Sequence, residues 1–318
     1  MVAGARWDRL TWGPRRRRRR MLRLLRELDR QDALASPPAW RAPPDLAYAV
    51  PPRPRRRTAV AVVPIVATLA ITGGLLWVRG VADEHIDHVA SIIPMSDTRP
   101  PVAADAQAGR LVPAPRAPSG SGGFDLLSTN AVSVAAYDPC RPLHLVVNHE
   151  AAPPSADVIL RDAIAMVGPA AGLRIVLDGA TDELAQSRRP PTDASRYGSR
   201  WSPALVAWTT PERVPVLDGD VAGVGGSVAV TDSSGHLHNV SGIVHLDGPA
   251  LTELTRRRGG HEVAVAVVAH ELVHLLGLAH TQESGQLMNA ENSGQTTLGD
   301  GDRRGLALLA DRPCAREL

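Results

Sequence analysis

The 318-residue chain has no lysine; every one of its 35 basic residues is arginine. That uniformity reads as the codon bias of a GC-rich genome and carries no functional signal. Aromatic residues are scarce, at 3% with a single phenylalanine, and cysteine occurs only twice. Two cysteines exclude a disulfide-dense scaffold. The arginine runs belong to no recognised nucleic-acid-binding fold. No charge dominates, since 33 acids leave a net of +2. With 44% apolar and 21% charged residues, the chain is not wholly disordered, collagenous or a coiled coil. The length allows one or two domains.

What is present is unevenly spread. Residues 1–57 carry 16 arginines against five acids, a net of +11, and residues 58–318 have a net of −9. At the junction, Ala59 to Val78 reads AVAVVPIVATLAITGGLLWV, 20 residues without a charge. At ~1.5 Å per residue a helix of that length spans ~30 Å, the thickness of a bilayer's hydrocarbon core. Arg53, Arg55, Arg56 and Arg57 precede the run and acids follow it, which places the N-terminus in the cytoplasm and the rest outside. Residues 58–79 are therefore expected to form a transmembrane helix. The alternative is secretion after cleavage at the small-residue pattern Gly80-Val81-Ala82.

Residues 1–57, with Arg15 to Arg20 and many prolines, read as a disordered cytoplasmic tail touching anionic lipid, with no specific nucleic-acid role. Residues 80–123 are rich in Pro, Ala and Gly and read as an extracellular linker. Residues 124–318 read as one globular domain. Strands are expected at His144 to Asn148, Leu173 to Leu177, Ala204 to Thr209, Val228 to Thr231 and Gly242 to Leu246. Helices are expected at Ser155 to Val167, His261 to Leu276 and Arg303 to Ala310. This predicts an α+β domain with a mixed twisted sheet, an early helix, a long helix carrying the chemistry and a C-terminal helix.

The chemistry lies in His270-Glu271-Leu-Val-His274-Leu-Leu-Gly277-Leu-Ala-His280. On a helix, i and i+4 share a face, so His270 and His274 can grip one ion. Gly277 can adopt a backbone angle that stops the helix and returns His280 to the same ion. Three imidazoles leave one zinc position open for water, and Glu271 stands beside it as a general base.

This motif resembles that of the metzincin zinc metallopeptidases, matrixin-like, in a secreted or membrane-tethered actinobacterial branch. Gln286-Leu287-Met288-Asn289 resembles the family's Met-turn, and Leu298 to Leu306 its last-helix segment, where Asp300 or Asp302 would brace that turn. The third ligand is His280, not the Asp of snapalysin-type enzymes, and Thr281 follows it, not the Asp of adamalysin-type enzymes. The resemblance spans residues 137–318. It implies one catalytic Zn2+ held by His270, His274 and His280, Glu271 as the catalytic base, Met288 as site floor and protein or peptide substrates. It also implies a substrate laid antiparallel on an edge strand, matched here by Gly225 to Val230. Structural Ca2+ or a second Zn2+ often accompanies the family, but its His-x-Asp arrangement is missing here; His236, His238 and His245 are candidates for a second zinc, with solvated or core histidines as the favoured reading.

Cys140 and Cys314 would lie outside the membrane, where disulfides persist, and flank the domain. They are expected to pair. The rival is a cysteine switch capping the zinc, but Asp138-Pro-Cys-Arg-Pro142 is a poor match to the family's Pro-Arg-Cys-Gly. The expected protein is a monomeric, membrane-anchored, extracellular zinc endopeptidase. The alternative is a non-catalytic zinc-containing surface module of the same fold.

Overall fold

The computed structural model describes residues 91–94, 99–219, 221–290 and 294–318. The Arg-rich tail, the expected membrane span at 58–79 and the cleavage pattern at Ala82 lie outside the described residues. No helix among the described residues is long and apolar enough to cross a membrane.

Two short strands and a bridge strand come first: β1 (Ser91–Pro94), β2 (Asp125–Leu126) and β3 (Ala136–Tyr137). The apolar run LHLVVN then forms β4 (Leu143–Asn148). It leads into helix α1 (Ala156–Ala171), which ends at Gly172 in the left-handed region, where no Cβ opposes φ +59°. There follow β5 (Ile175–Ala180), a one-turn helix α2 (Ala194–Tyr197), β6 (Ala204–Thr209), β7 (Gly223–Thr231) and β8 (Leu237–Asp247). The chain closes with α3 (Gly248–Thr255), α4 (Gly260–Leu276), β9 (Leu278–Ala279) and α5 (Asp300–Ala310).

The main sheet has seven strands in the order β1-β7-β8-β6-β4-β5, with β3 also paired to β8. Only β7 and β8 run antiparallel to one another; every other pairing in this sheet is parallel. Parallel neighbours need a crossover, and α1 supplies the one from β4 to β5. The result is a mixed α/β domain with a mostly parallel sheet and five α-helices among the described residues, consistent with the expected α+β class.

Both faces of the sheet are covered. On one face Leu145, Val147, Val206, Trp208, Val244 and Leu246 pack with α1 and α4 in the main core. The alternate residues Val146, Leu205 and Ala207 face the other way, against Ala185, Val214 and Leu217 of the chain between β5 and β7. Burial on both faces explains why β4 and β6 read as continuous apolar runs and not as alternations.

Several boundaries differ from the sequence reading. The strands expected at Val228 and Gly242 start earlier, at Gly223 and Leu237, because pairing with each other carries them through glycines and polar residues of low strand preference. The expected edge strand is not an edge along its whole length: β1 pairs in parallel with Val228 to Thr231. The linker expected over residues 80–123 is also not free of the domain where it is described. Gln107 N–H donates to the Cys140 carbonyl and Leu111 N–H to that of Pro139. Arg110 donates to the Ala310 carbonyl, and Asp105 pairs with His144. Composition missed this because the segment is held by polar contacts and not by an apolar face.

Cys140 and Cys314 form a disulfide across a sequence separation of 174. It joins the start of the domain to its end, and closing so long a loop is worth ~3–5 kcal/mol in the chain-entropy account.

Candidate metal centre

The second half of α4 carries His270 and His274 one turn apart. The helix stops at Gly277, whose φ of +124° suits glycine, and whose N–H bonds back to the Val273 and His274 carbonyls. A Cβ there would also stand 3.0 Å from the Ala135 carbonyl oxygen. The chain then turns through β9, which pairs antiparallel with β2, and delivers His280 to the same place. The Nε2 atom of His280 lies 3.1 Å from Nε2 of His270 and 3.1 Å from Nε2 of His274.

The protons of this cluster can be assigned. His270 Nδ1 lies 2.8 Å from the Leu287 carbonyl oxygen and His274 Nδ1 lies 2.8 Å from that of Leu278. A carbonyl only accepts, so each Nδ1 is the donor. In the neutral ring the Nε2 atoms of His270 and His274 then carry lone pairs, and both are aimed at His280. His280 has one proton to offer on that nitrogen and cannot satisfy both. Adding protons is opposed too. Burial pushes His270 down to about 4, with the nearby His280 adding to the effect, and pushes His274 further below its ordinary value. Burial lowers His280 as well.

A metal cation resolves this arrangement. Ligands at 2.0–2.1 Å in a tetrahedron sit about 3.3 Å apart, close to the spacing here. The two carbonyls bonded to Nδ1 are the outer partners that orient metal-bound imidazoles. Among the described residues only one other group of donors lies close enough for one ion, Asp138 with Cys140 and Cys314, and its two sulfurs are bonded to each other. The candidates for a second metal, His236, His238 and His245, do not converge. His238 is held by Asp232, and His236 contacts Ser234. His245 lies seven residues further along β8, roughly 23 Å at the rise of a strand.

Met288 is buried in the main core, 1% exposed. Its turn is tied to the chain just after His280, because Thr281 N–H donates to the Met288 carbonyl. Of the two acids considered for bracing this turn, Asp302 does so. Fully buried, it accepts from the N–H groups of Leu287 (2.6 Å), Met288 (3.2 Å) and Gly299 (2.8 Å). Asp300 is exposed at the first position of α5. Sequence reasoning overlooked Gln286, whose Oε1 accepts from the N–H groups of Gly301 and Asp302 and so locks the same turn to α5. Its position two residues before Met288 was the available signal. The brace connects to the metal centre directly: the carbonyl that orients His270 belongs to Leu287.

Glu271 is 6% exposed on the helix face turned to β7. Burial alone pushes its carboxyl up to about 8. A carboxyl with this affinity for protons near neutral pH can both take and return one, which is the requirement of a general base that later acts as an acid. No protein family and no curated protein matches the chain, so its assignment stands on the geometry of these residues.

Proposed function

We propose that the protein is a zinc-dependent endopeptidase, and the observation that carries this is the set of three imidazole nitrogens facing one another with too few protons to satisfy them all, with Glu271 buried next to His270 on the same helix. His270, His274 and His280 would hold the ion. When bound there, zinc would supply the Lewis acidity that lowers the pKa of a water and polarises a peptide carbonyl. Glu271 takes the proton of the attacking water and gives it to the leaving nitrogen. The carbonyls of Leu287 and Leu278 keep the ligands in the tautomer that binds metal. Asp302 and Gln286 hold the turn that supplies the first of these carbonyls. The substrates are proteins or peptides, met by a monomer whose catalytic domain lies outside the cell. Residues 59–78 anchor it, with the Arg-rich tail on anionic lipid; the alternative is a form secreted after cleavage near Ala82.

A second reading keeps the zinc and drops the reaction: a surface module that uses the ion for folding or protein binding. Such sites are closed by four protein ligands. The group among the described residues has three members, which favours an open position. The two readings separate in one experiment, hydrolysis of a mixed-sequence quenched peptide library by the oxidised, zinc-loaded chain beside Glu271→Ala. Cleavage by the wild type alone supports the peptidase. One zinc per chain with no cleavage by either supports the binding module.

A further inference from the structure

We propose that Gly223 is a positioning residue for Glu271, its missing side chain providing the space in which the carboxyl-bearing side chain lies. This rests on the peptidase reading above. β7 begins Gly223-Val224-Gly225-Gly226, an unfavourable start for a strand, since glycine gives up backbone freedom and contributes no side chain to the sheet. Backbone conformation does not explain Gly223 or Gly225, because neither has a positive φ. What surrounds them does.

A Cβ on Gly223 would stand 2.7 Å from Cγ of Glu271 and 3.0 Å from both its Cδ and Oε1. A Cβ on Gly225 would overlap the Glu271 carbonyl oxygen and stand 2.9 Å from its carbonyl carbon. Residues 223 and 225 share one face of the strand, and that face is turned to α4. They therefore have separate tasks. Gly225 lets the helix main chain approach the strand. Gly223 lets the Glu271 side chain lie along it, confined between strand and helix. Confinement of this kind sets the direction of a base, and a displacement of about 1 Å can cost a hundredfold in rate.

The two glycines predict different substitution effects. An alanine at 225 meets main chain, which cannot give way cheaply. An alanine at 223 meets the end of a flexible side chain. It should displace the carboxyl while leaving the fold and the three histidines in place.

The test is a double-mutant cycle on the full chain, combining Gly223→Ala with Glu271→Ala, which removes the Cγ, Cδ and Oε1 atoms that the new Cβ would meet. The first readout is urea unfolding of the zinc-free protein, which needs no turnover. The loss of stability caused by Gly223→Ala should be at least about threefold smaller, as an unfolding equilibrium constant, in the Glu271→Ala background. Equal losses in both backgrounds would overturn the contact. The second readout is peptide hydrolysis at saturating zinc. Gly223→Ala should lower kcat about tenfold to a hundredfold with KM and zinc affinity unchanged, the signature of a displaced base and not of a damaged site. An unchanged kcat, or a parallel loss of zinc affinity, would overturn the positioning role. If the wild type cleaves no peptide, the peptidase reading fails and positioning falls with it; the stability cycle then shows separately whether Gly223 still serves as packing against Glu271.

Discussion

Two clusters of polar side chains lie on opposite faces of the sheet, and they differ in whether their members satisfy one another. On the face covered by the chain between β5 and β7, Arg189 and Glu183 are 8% and 7% exposed. They form a two-pronged ion pair of 2.7 and 2.8 Å. Tyr197 donates to Glu183 at 2.6 Å and Arg189 donates to Ser241 at 2.9 Å. Burial alone would raise the Glu183 carboxyl, but these hydrogen bonds outweigh it and leave it below its ordinary value. Every charge there has a partner within the protein. On the helix face, His270, His274 and His280 are brought together with no charged partner among them, and Glu271 stands next to His270 on α4. The first cluster is what a structural network looks like, because each partner stabilises the other's charged form. In the second, buried His274, half-buried His270 and exposed His280 leave ring nitrogens unsatisfied, which is the observation behind the proposed metal.

Three measurements would break or sharpen this contrast. The largest effect is expected from His274→Ala. It removes the most buried ligand and the link to the Leu278 carbonyl, so stoichiometric zinc binding should be lost together with hydrolysis, as read by calorimetric titration. Retained one-to-one zinc binding would contradict the assignment of the open cluster. Next comes Arg189→Met in the closed cluster. It strands a buried carboxylate and should cost ~3–5 kcal/mol in urea unfolding, while zinc affinity of the folded protein stays the same. A change in zinc affinity without that cost would show that the two faces are not independent.

The smallest effect is in pH. In the zinc-free protein His270 titrates at about 4 against an ordinary 6.5, and His274 and His280 shift the same way. Their contribution to stability is present above about 6.5 and is lost as pH falls towards 4. Glu271 does the opposite. At about 8 against an ordinary 4.5, its contribution is present below 4.5 and lost as pH rises through 8. The imidazoles outnumber the carboxyl on the acid side, so zinc-free stability should peak near neutral pH. The Glu271→Gln variant should remove the alkaline decline alone. A profile that still declines above pH 7 in that variant would mean Glu271 is not the titrating group.

The convergence of three histidines was legible in the sequence for a physical reason. An α-helix places residues four apart on one face whatever surrounds it, and glycine is the residue that ends such a helix at positive φ. His270, His274 and Gly277 therefore announce themselves from spacing, and the elongated spacing brings in His280. The acid partner of the Met-turn was legible only as a choice between Asp300 and Asp302. Both sit in the first turn of α5, and which one points inward depends on where that helix packs. The histidines of β8 were legible only as a list, since a strand spaces its residues too widely for His238 and His245 to meet.

Sequence alone determined the local elements: the apolar runs of β4 and β6, the helix that carries two ligands, its glycine stop, and the two cysteines at the ends of the domain. Tertiary structure decided what stands opposite what. It brought β1 alongside the second half of β7, laid residues 99–123 on the domain, chose Asp302 and Gln286 as braces and set two glycines of β7 against Glu271. Those outcomes depend on contacts between residues tens to hundreds apart, whose partners no local period encodes. Propensity describes a residue's own backbone, and packing decides which neighbour must leave it room.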